Sequence, residues 1–272
     1  MHVNYFAYGP LTPLLAYFMS FLGSAIGLQS ASRARVATGG SRTRWLAMAA
    51  LAIGGTAIWV MHFIAMLGFA VPSVQIRYDP LLTIASLLVA IAIVAVGLTL
   101  AVTRDGSLGA LLLGGAVTGS GIAGMHYLGM AALHMAPEVH YDWAVVAVSE
   151  AIAVVAATAA LWFALNVRGL PATLGAAVIM AIAVTAMHYT GMAALHVSAE
   201  GATDHGWMVD QPFTGQGGPS GLSATELLTP LVVGISVTTT IMLLVVAMAP
   251  TERELQQEQR AARLSRALRN RH

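Results

Sequence analysis

The sequence predicts an all-α, polytopic membrane protein of seven transmembrane helices, arranged as three two-helix repeats plus one, with the N-terminus outside and the C-terminus cytoplasmic. Three observations carry this. The 272-residue chain is 57% hydrophobic and only 9% charged, with a mean hydropathy of +0.75, whereas a soluble domain carries about a quarter of its residues as charges. Seven stretches reach the roughly 20 apolar residues that cross a bilayer core as a helix. The cationic residues, all 13 of them arginine, fall almost entirely in alternate loops.

The spans run at about 10–30, 45–70, 80–102, 108–134, 143–166, 173–197 and 226–249. The first has no Lys or Arg before it and so lacks the basic flank of a secretory leader. Arg33, Arg35, Arg42 and Arg44 separate spans one and two, Arg104 separates three and four, and Arg168 separates five and six. Arg253, Arg260, Arg263, Arg266, Arg269 and Arg271 follow span seven, and only Arg77 lies on the opposite side. The positive-inside rule then puts the C-terminus in the cytoplasm of a multi-pass inner-membrane protein. Asp79, Glu138, Asp142, Glu200, Asp204 and Asp210 fall in the outside loops. The stretch from about Ser198 to Ala224, rich in Gly, Ser, Pro and Asp, reads as an outward lid-like loop. Residues 1–250 form the membrane domain and 251–272 a basic cytoplasmic tail with helical composition, suited to lipid headgroups or to a cytoplasmic signalling partner. No catalytic domain is expected after it, so the protein is read as a non-enzyme.

The spans repeat. Tyr8-Gly9-Pro10-Leu11, Tyr78-Asp79-Pro80-Leu81 and Tyr141-Asp142-Trp143 each open an outward end, and each of those spans closes on an arginine: Arg33, Arg104 and Arg168. The returning spans carry Met61-His62-Phe63-Ile64-Ala65-Met66, Met125-His126-Tyr127-Leu128-Gly129-Met130 and Met187-His188-Tyr189-Thr190-Gly191-Met192. The three histidines lie at equivalent depth, about 27–33 Å beyond the preceding arginine along a helix, near the outer face. Met66, Met130 and Met192 follow four residues later on the same face. His134 and His196, eight residues past their motif histidines, are expected on the same helices about 12 Å farther out.

Composition narrows the chemistry. With no Cys, disulfides, thiolate zinc sites and thiol nucleophiles are excluded; with no Lys, so are P-loop and Schiff-base lysines. Nothing points to nucleic acid. Buried intramembrane histidines are functional candidates, although a histidine hydrogen-bonded across helices is the plainer alternative. Imidazole plus thioether, without carboxylate or thiolate, suits a soft or borderline metal, and copper best. The candidate ligands are His62, Met66, His126, Met130, His188 and Met192, with His134 and His196 as a second site. A copper carrier is the rival reading, and bis-histidine haem a third. Glu150, about seven residues into span five, is open to a proton or metal role, or to snorkelling or pairing with Arg77. His140 and His205, in outside loops, read as solvated side chains or metal-capture groups.

The repeated motif resembles the MHYT domain, a bacterial integral-membrane sensor module; Met187-His188-Tyr189-Thr190 reproduces its tetrapeptide, and Met125-His126-Tyr127-Leu128 and Met61-His62-Phe63-Ile64 are variants. The resemblance covers spans one to seven. It implies copper bound near the outer face and the sensing of a diatomic gas such as oxygen, carbon monoxide or nitric oxide, often in chains fused to cyclic di-GMP enzymes or histidine kinases. Cysteine is among the ligands the family suggests; here the load falls on His and Met.

Overall fold

Among the described residues of the computed structural model, seven helices are long and apolar enough to cross a membrane. The structure describes residues 3–198 apart from 73, 104, 105 and 137, together with 221–251, 254–257, 261 and 265. The helices are α1 (Leu11–Val36), α2 (Gly39–Leu67), α3 (Pro80–Thr103), α4 (Leu108–Ala131), α5 (Trp143–Asn166), α6 (Leu170–Ala193) and α7 (Ala224–Met248). Their starts follow local chemistry. Asp142 accepts hydrogen bonds from the Ala144 and Val145 amides, and Asp79 accepts one from Leu82, the capping role expected of both. A capping box of Ser223 and Glu226 opens α7. The Ser223 hydroxyl and amide, and more weakly Arg77, hold the Glu226 carboxyl below its ordinary range.

The first six helices close into a ring, each packing on its neighbour in chain order and α6 returning to α1, while α7 lies outside against α1 and α2. In consequence 83% of the apolar window of α2 is buried, against 18% for α7. Small residues set the close approaches. A Cβ on Gly23 would run into the Ala52 and Ala57 backbone of α2, and one on Gly119 into the Val154 backbone of α5, the close approach that glycines four residues apart on a membrane helix permit. The middle of α2, Leu51–Val60, is π-helical, which nothing in its sequence announces.

Two expectations are corrected at the outer ends. Spans four and six were read as helical to residues 134 and 197, but the helices stop at Ala131 and Ala193. The chain then turns into short strands, which pair with the segment preceding the odd helix of the same repeat. β1 (Arg77–Tyr78) pairs with β2 (Leu133–His134), and β3 (Val139–Tyr141) with β4 (Leu195–Val197), both antiparallel. The first repeat makes the matching bridge between Asn4 and Ala70. Each hairpin is therefore zipped at the end nearer its motif histidine. The runs are too short, at two or three residues, for an alternating strand pattern to show in sequence.

α7 is held at both ends. Tyr78 and Leu222 exchange backbone hydrogen bonds beside its start, and Arg77 lies 3.8 Å from Glu226. Glu150 is not the acid beside Arg77; it is exposed and accepts a hydrogen bond from the Ser120 hydroxyl. At the other end Arg33 is buried, donating to the carbonyls of Val246, Ala249 and Pro250. The tail arginines and His205 fall outside the described residues.

Candidate metal centre

α4 and α6 each carry a buried stripe and α2 is buried nearly all round, and in each the motif histidine sits near the C-terminal end of the helix. In α4 the stripe runs through Leu111, Thr118, Ile122, Met125, His126, Gly129 and Met130. Because the ring turns these stripes inward, His62, His126 and His188 meet at its centre, each only 1% exposed. Their ligating nitrogens all lie within 4.8 Å of one another, forming the one candidate group of three or more His, Cys, Asp or Glu among the described residues. His62 Nδ1 is 3.1 Å from His126 Nδ1 and 3.1 Å from His188 Nδ1. The rings stand nearly perpendicular to one another, at 81°, 82° and 87°.

Protons satisfy this arrangement poorly. A neutral imidazole offers at each nitrogen either one N–H or one lone pair. His62 Nδ1 therefore cannot make a full hydrogen bond to both neighbours from its single in-plane position. A single cation at the focus accepts all three lone pairs. Nitrogens bound at about 2.0 Å to a shared metal stand roughly 3.3–3.5 Å apart, close to the separations present, so the donor set fits a three-coordinate imidazole site.

The opposite edges of the rings are equally constrained. Nε2 of His62 and Nε2 of His126 are buried with no hydrogen-bond partner. His62 Nε2 abuts the position a Cβ would take on Gly129, and His126 Nε2 does the same at Gly191. His62 and His126 thus each rest on the motif glycine of the next repeat, with Nδ1 on the opposite edge of the ring towards the cluster. The equivalent residue in the first copy is Ala65, buried beside Ala16 and Tyr189. These glycines were missed as site residues, although their recurrence three residues after two of the histidines was a visible signal.

The aromatic motif residues stand edge-on to their own histidines, at 88° for Phe63, 78° for Tyr127 and 75° for Tyr189. Two serines that bond aromatic side chains of the even helices are repeat-equivalent. The Tyr127 hydroxyl bonds to Ser149 at 2.7 Å, and Trp59 Nε1 donates to Ser86 at 2.9 Å. Ser86 and Ser149 each lie eight residues after the opening tyrosine of their repeat. The first copy has Ala16 there, and the Tyr189 hydroxyl, packed near it, is buried without a partner. Tyr127→Phe is therefore expected to lower stability by about 1 kcal/mol, and Tyr189→Phe to leave it unchanged or raise it. Thermal unfolding of the two variants in detergent checks the contrast; equal losses would contradict it.

Met66, Met130 and Met192 are all buried, one turn beyond their histidines. His134 and His196 are not on helices above the cluster, because the strands carry them away. His134 stands across from Arg77 on one ribbon, while His196 is exposed across from His140 on the other. Neither joins the three-histidine group.

A family model for MHYT, described as a bacterial signalling protein N-terminal repeat, matches residues 55–114 and 119–177. His62 and His126 fall within the two matches and His188 beyond them. Among curated proteins, the chain is 38% identical over 214 residues to the Pseudomonas aeruginosa bifunctional diguanylate cyclase/cyclic di-GMP phosphodiesterase MucR, a match covering 74% of this chain and 31% of that protein. It is 36% identical to the cyclic di-GMP phosphodiesterase NbdA of the same organism, over 72% of this chain and 25% of NbdA. It is 29% identical to the Bacillus subtilis signaling protein YkoW, over 66% of this chain and 23% of YkoW. The chain thus spans a third or less of these relatives. No solved structure matches. The expectation of a non-enzyme is corrected by these names: relatives that share this region are named as cyclic di-GMP enzymes. The matches cover only the membrane region, so the named activities are the relatives' own.

Proposed function

The chain belongs to the MHYT-repeat membrane proteins of bacterial signalling, and from that premise we propose that it is a copper-dependent membrane sensor of a neutral diatomic gas or of redox state. The observation that carries the reading is the trio of buried imidazoles in which His62 Nδ1 lies 3.1 Å from Nδ1 of each of the other two. His62, His126 and His188 hold the metal, and Met66, Met130 and Met192 supply thioethers on the outward side, a donor set that favours Cu(I). When bound, copper supplies an electron-rich centre able to take a neutral diatomic or to change oxidation state.

The protein's own groups do the rest. The perpendicular rings lock the three donors in direction, and the motif glycines fix which nitrogen faces inward. The apolar surroundings exclude water and anions. Three helices bring one histidine each, so a change in donor distance is felt as relative movement of α2, α4 and α6. We read the cluster as lying towards the outer face of the inner membrane, with the N-terminus outside. The basic segment 251–272 faces the cytoplasm and acts as the coupler to a signalling partner. Relatives' names point to cyclic di-GMP turnover as the output. Haem is disfavoured, since nitrogens 3.1 Å apart leave no room for a macrocycle between His62 and either of the other two rings.

Metal analysis and absorption spectra of detergent-purified protein test this, with His62, His126 and His188 changed to Ala singly and together. The expected result is one copper per chain, lost in the triple variant while helicity is kept. Full stoichiometry in the triple variant would sink the assignment, and a Soret band would replace it with haem.

A further inference from the structure

The ribbon of β3 and β4 places two histidines side by side on one exposed face. The strands are antiparallel, with His140 directly opposite His196. Backbone hydrogen bonds bracket the pair: the Ser198 amide donates to the Glu138 carbonyl at 3.1 Å and the Asp142 amide to the Ala194 carbonyl at 2.8 Å. Side chains alternate across a strand. Val139, Tyr141, Leu195 and Val197 turn to the buried or half-buried side, while Glu138, His140 and His196 are exposed together on the other. Directly opposed residues have Cβ atoms about 4.5–5.5 Å apart, a span from which two imidazoles can close on one ion at about 2.0–2.1 Å each. Glu138 adds a carboxylate, whose Oε2 lies 3.7 Å from His140 Nε2.

This combination belongs to one ribbon alone. The equivalent pair in β1 and β2 is Arg77 opposite His134, and in the first copy it is Asn4 opposite Ala70. Where the third copy has Glu138 and His140, the second has Gln75 and Arg77. One ribbon therefore sets a fixed positive charge beside its imidazole, which repels a metal ion, and the other offers two imidazoles and an anion. His196 thus finds its imidazole partner in His140, not in His134. The ion pair with Glu138 explains His140 but not the second imidazole facing it. Unlike the ring histidines, these side chains are not drawn to one point by packing. Being exposed, they close on a shared ion at the cost of rotamer freedom only, above a backbone fixed by the ladder and by the Asp142 cap on α5.

The donor set selects the ion. Magnesium and calcium take oxygen shells, and Cu(I) favours thioether or thiolate ligands, which this trio lacks. Two imidazoles with a carboxylate suit a borderline divalent ion, and among these Cu(II) binds most tightly. We propose that His140 and His196, supported by Glu138, form a solvent-facing site for such an ion, Cu(II) foremost, chemically distinct from the nitrogen and thioether donors inside the ring. The site goes beyond the sensor reading and does not rest on it, because its donors belong to the ribbon.

Titration of the detergent-purified whole chain with Cu(II), read by electron paramagnetic resonance with pulsed detection of coupled nitrogens, tests this. One Cu(II) equivalent coupled to two imidazoles is expected. It should be lost in His140→Ala and in His196→Ala alike, both changes on an exposed face that leave the fold intact. Glu138→Gln should weaken binding while the two-nitrogen coupling persists. His134→Ala, which removes the imidazole opposite Arg77, should leave the equivalent in place. No two-imidazole Cu(II) in the wild type, an equivalent that survives either ribbon histidine substitution, or one lost with His134 would each overturn the proposal; unchanged affinity in Glu138→Gln would remove the carboxylate from it. Cu(II) on the ribbon of a protein that takes up no copper at the ring histidines would leave this site standing and remove the sensor's metal instead.

Discussion

Alanine at Gly129 or Gly191 is expected to weaken copper binding by about 10–100-fold, the scale of losing a group that orients a metal ligand. A Cβ at either position would occupy the space of His62 Nε2 or His126 Nε2. The neighbour cannot yield cheaply, because each imidazole is buried on all sides and edge-on to an aromatic ring. The ring must tilt, and Nδ1 leaves the centre. Overpacking alone is expected to cost about 1–3 kcal/mol of stability. Ala65→Gly supplies the control: it removes a methyl from the equivalent position of the first copy, and any loss should be confined to about 1 kcal/mol of helix propensity. Competition titration with a copper chelator, alongside thermal unfolding, reads both quantities. Wild-type affinity in Gly129→Ala and Gly191→Ala would show that the glycines do not orient the histidines.

Arg33→Ala is expected to be the most destabilising single change at the opposite end of the bundle, by about 2–4 kcal/mol. The last carbonyls of a helix have no partner within it, and Arg33 satisfies those at the end of α7. Its Nη2 donates to Val246 and Ala249 and its Nε to Pro250, while Nη1 returns to Gln29 in its own helix. The guanidinium also stacks over Trp45, 5.3 Å from the ring centre. Because α7 is the least buried span, this clamp carries much of its attachment. Arg33→Lys keeps the charge but not the planar fork, so it should recover only part of the loss. Protease sensitivity after Met248, together with unfolding temperature, measures the effect. An Arg33→Ala protein with wild-type values for both would show that α7 is held by other contacts.

Much of this architecture was legible in the order of residues. Seven spans, the three-hairpin repeat and the common depth of His62, His126 and His188 all follow from apolar length and from a motif with a near-constant period. That the three histidines share one point does not follow from depth alone. It needs the ring to close through α6 and α1, which are far apart in sequence and meet only by tertiary packing. The outer ribbons escaped notice because two or three residues carry no periodicity, and with them went the helical placement of His134 and His196. Arg77 was legible as the lone outward arginine, whereas its neighbour Glu226 lies some 150 residues away and shares no pattern with it. Arg33 looked like one of four loop arginines; only the arrival of the end of α7 distinguishes it.

The staggered seating of His62 and His126 on the glycine of the following copy bears on how such a chain arises and drifts. No single hairpin contains a complete seat for its own imidazole, so the unit under selection is the junction between copies. A duplicated hairpin gains nothing until its neighbour presents a small residue in register, and a copy cannot be lost without exposing two unfinished edges. Compensating changes should then pair positions about 67 residues apart, such as 62 with 129, instead of positions within one motif.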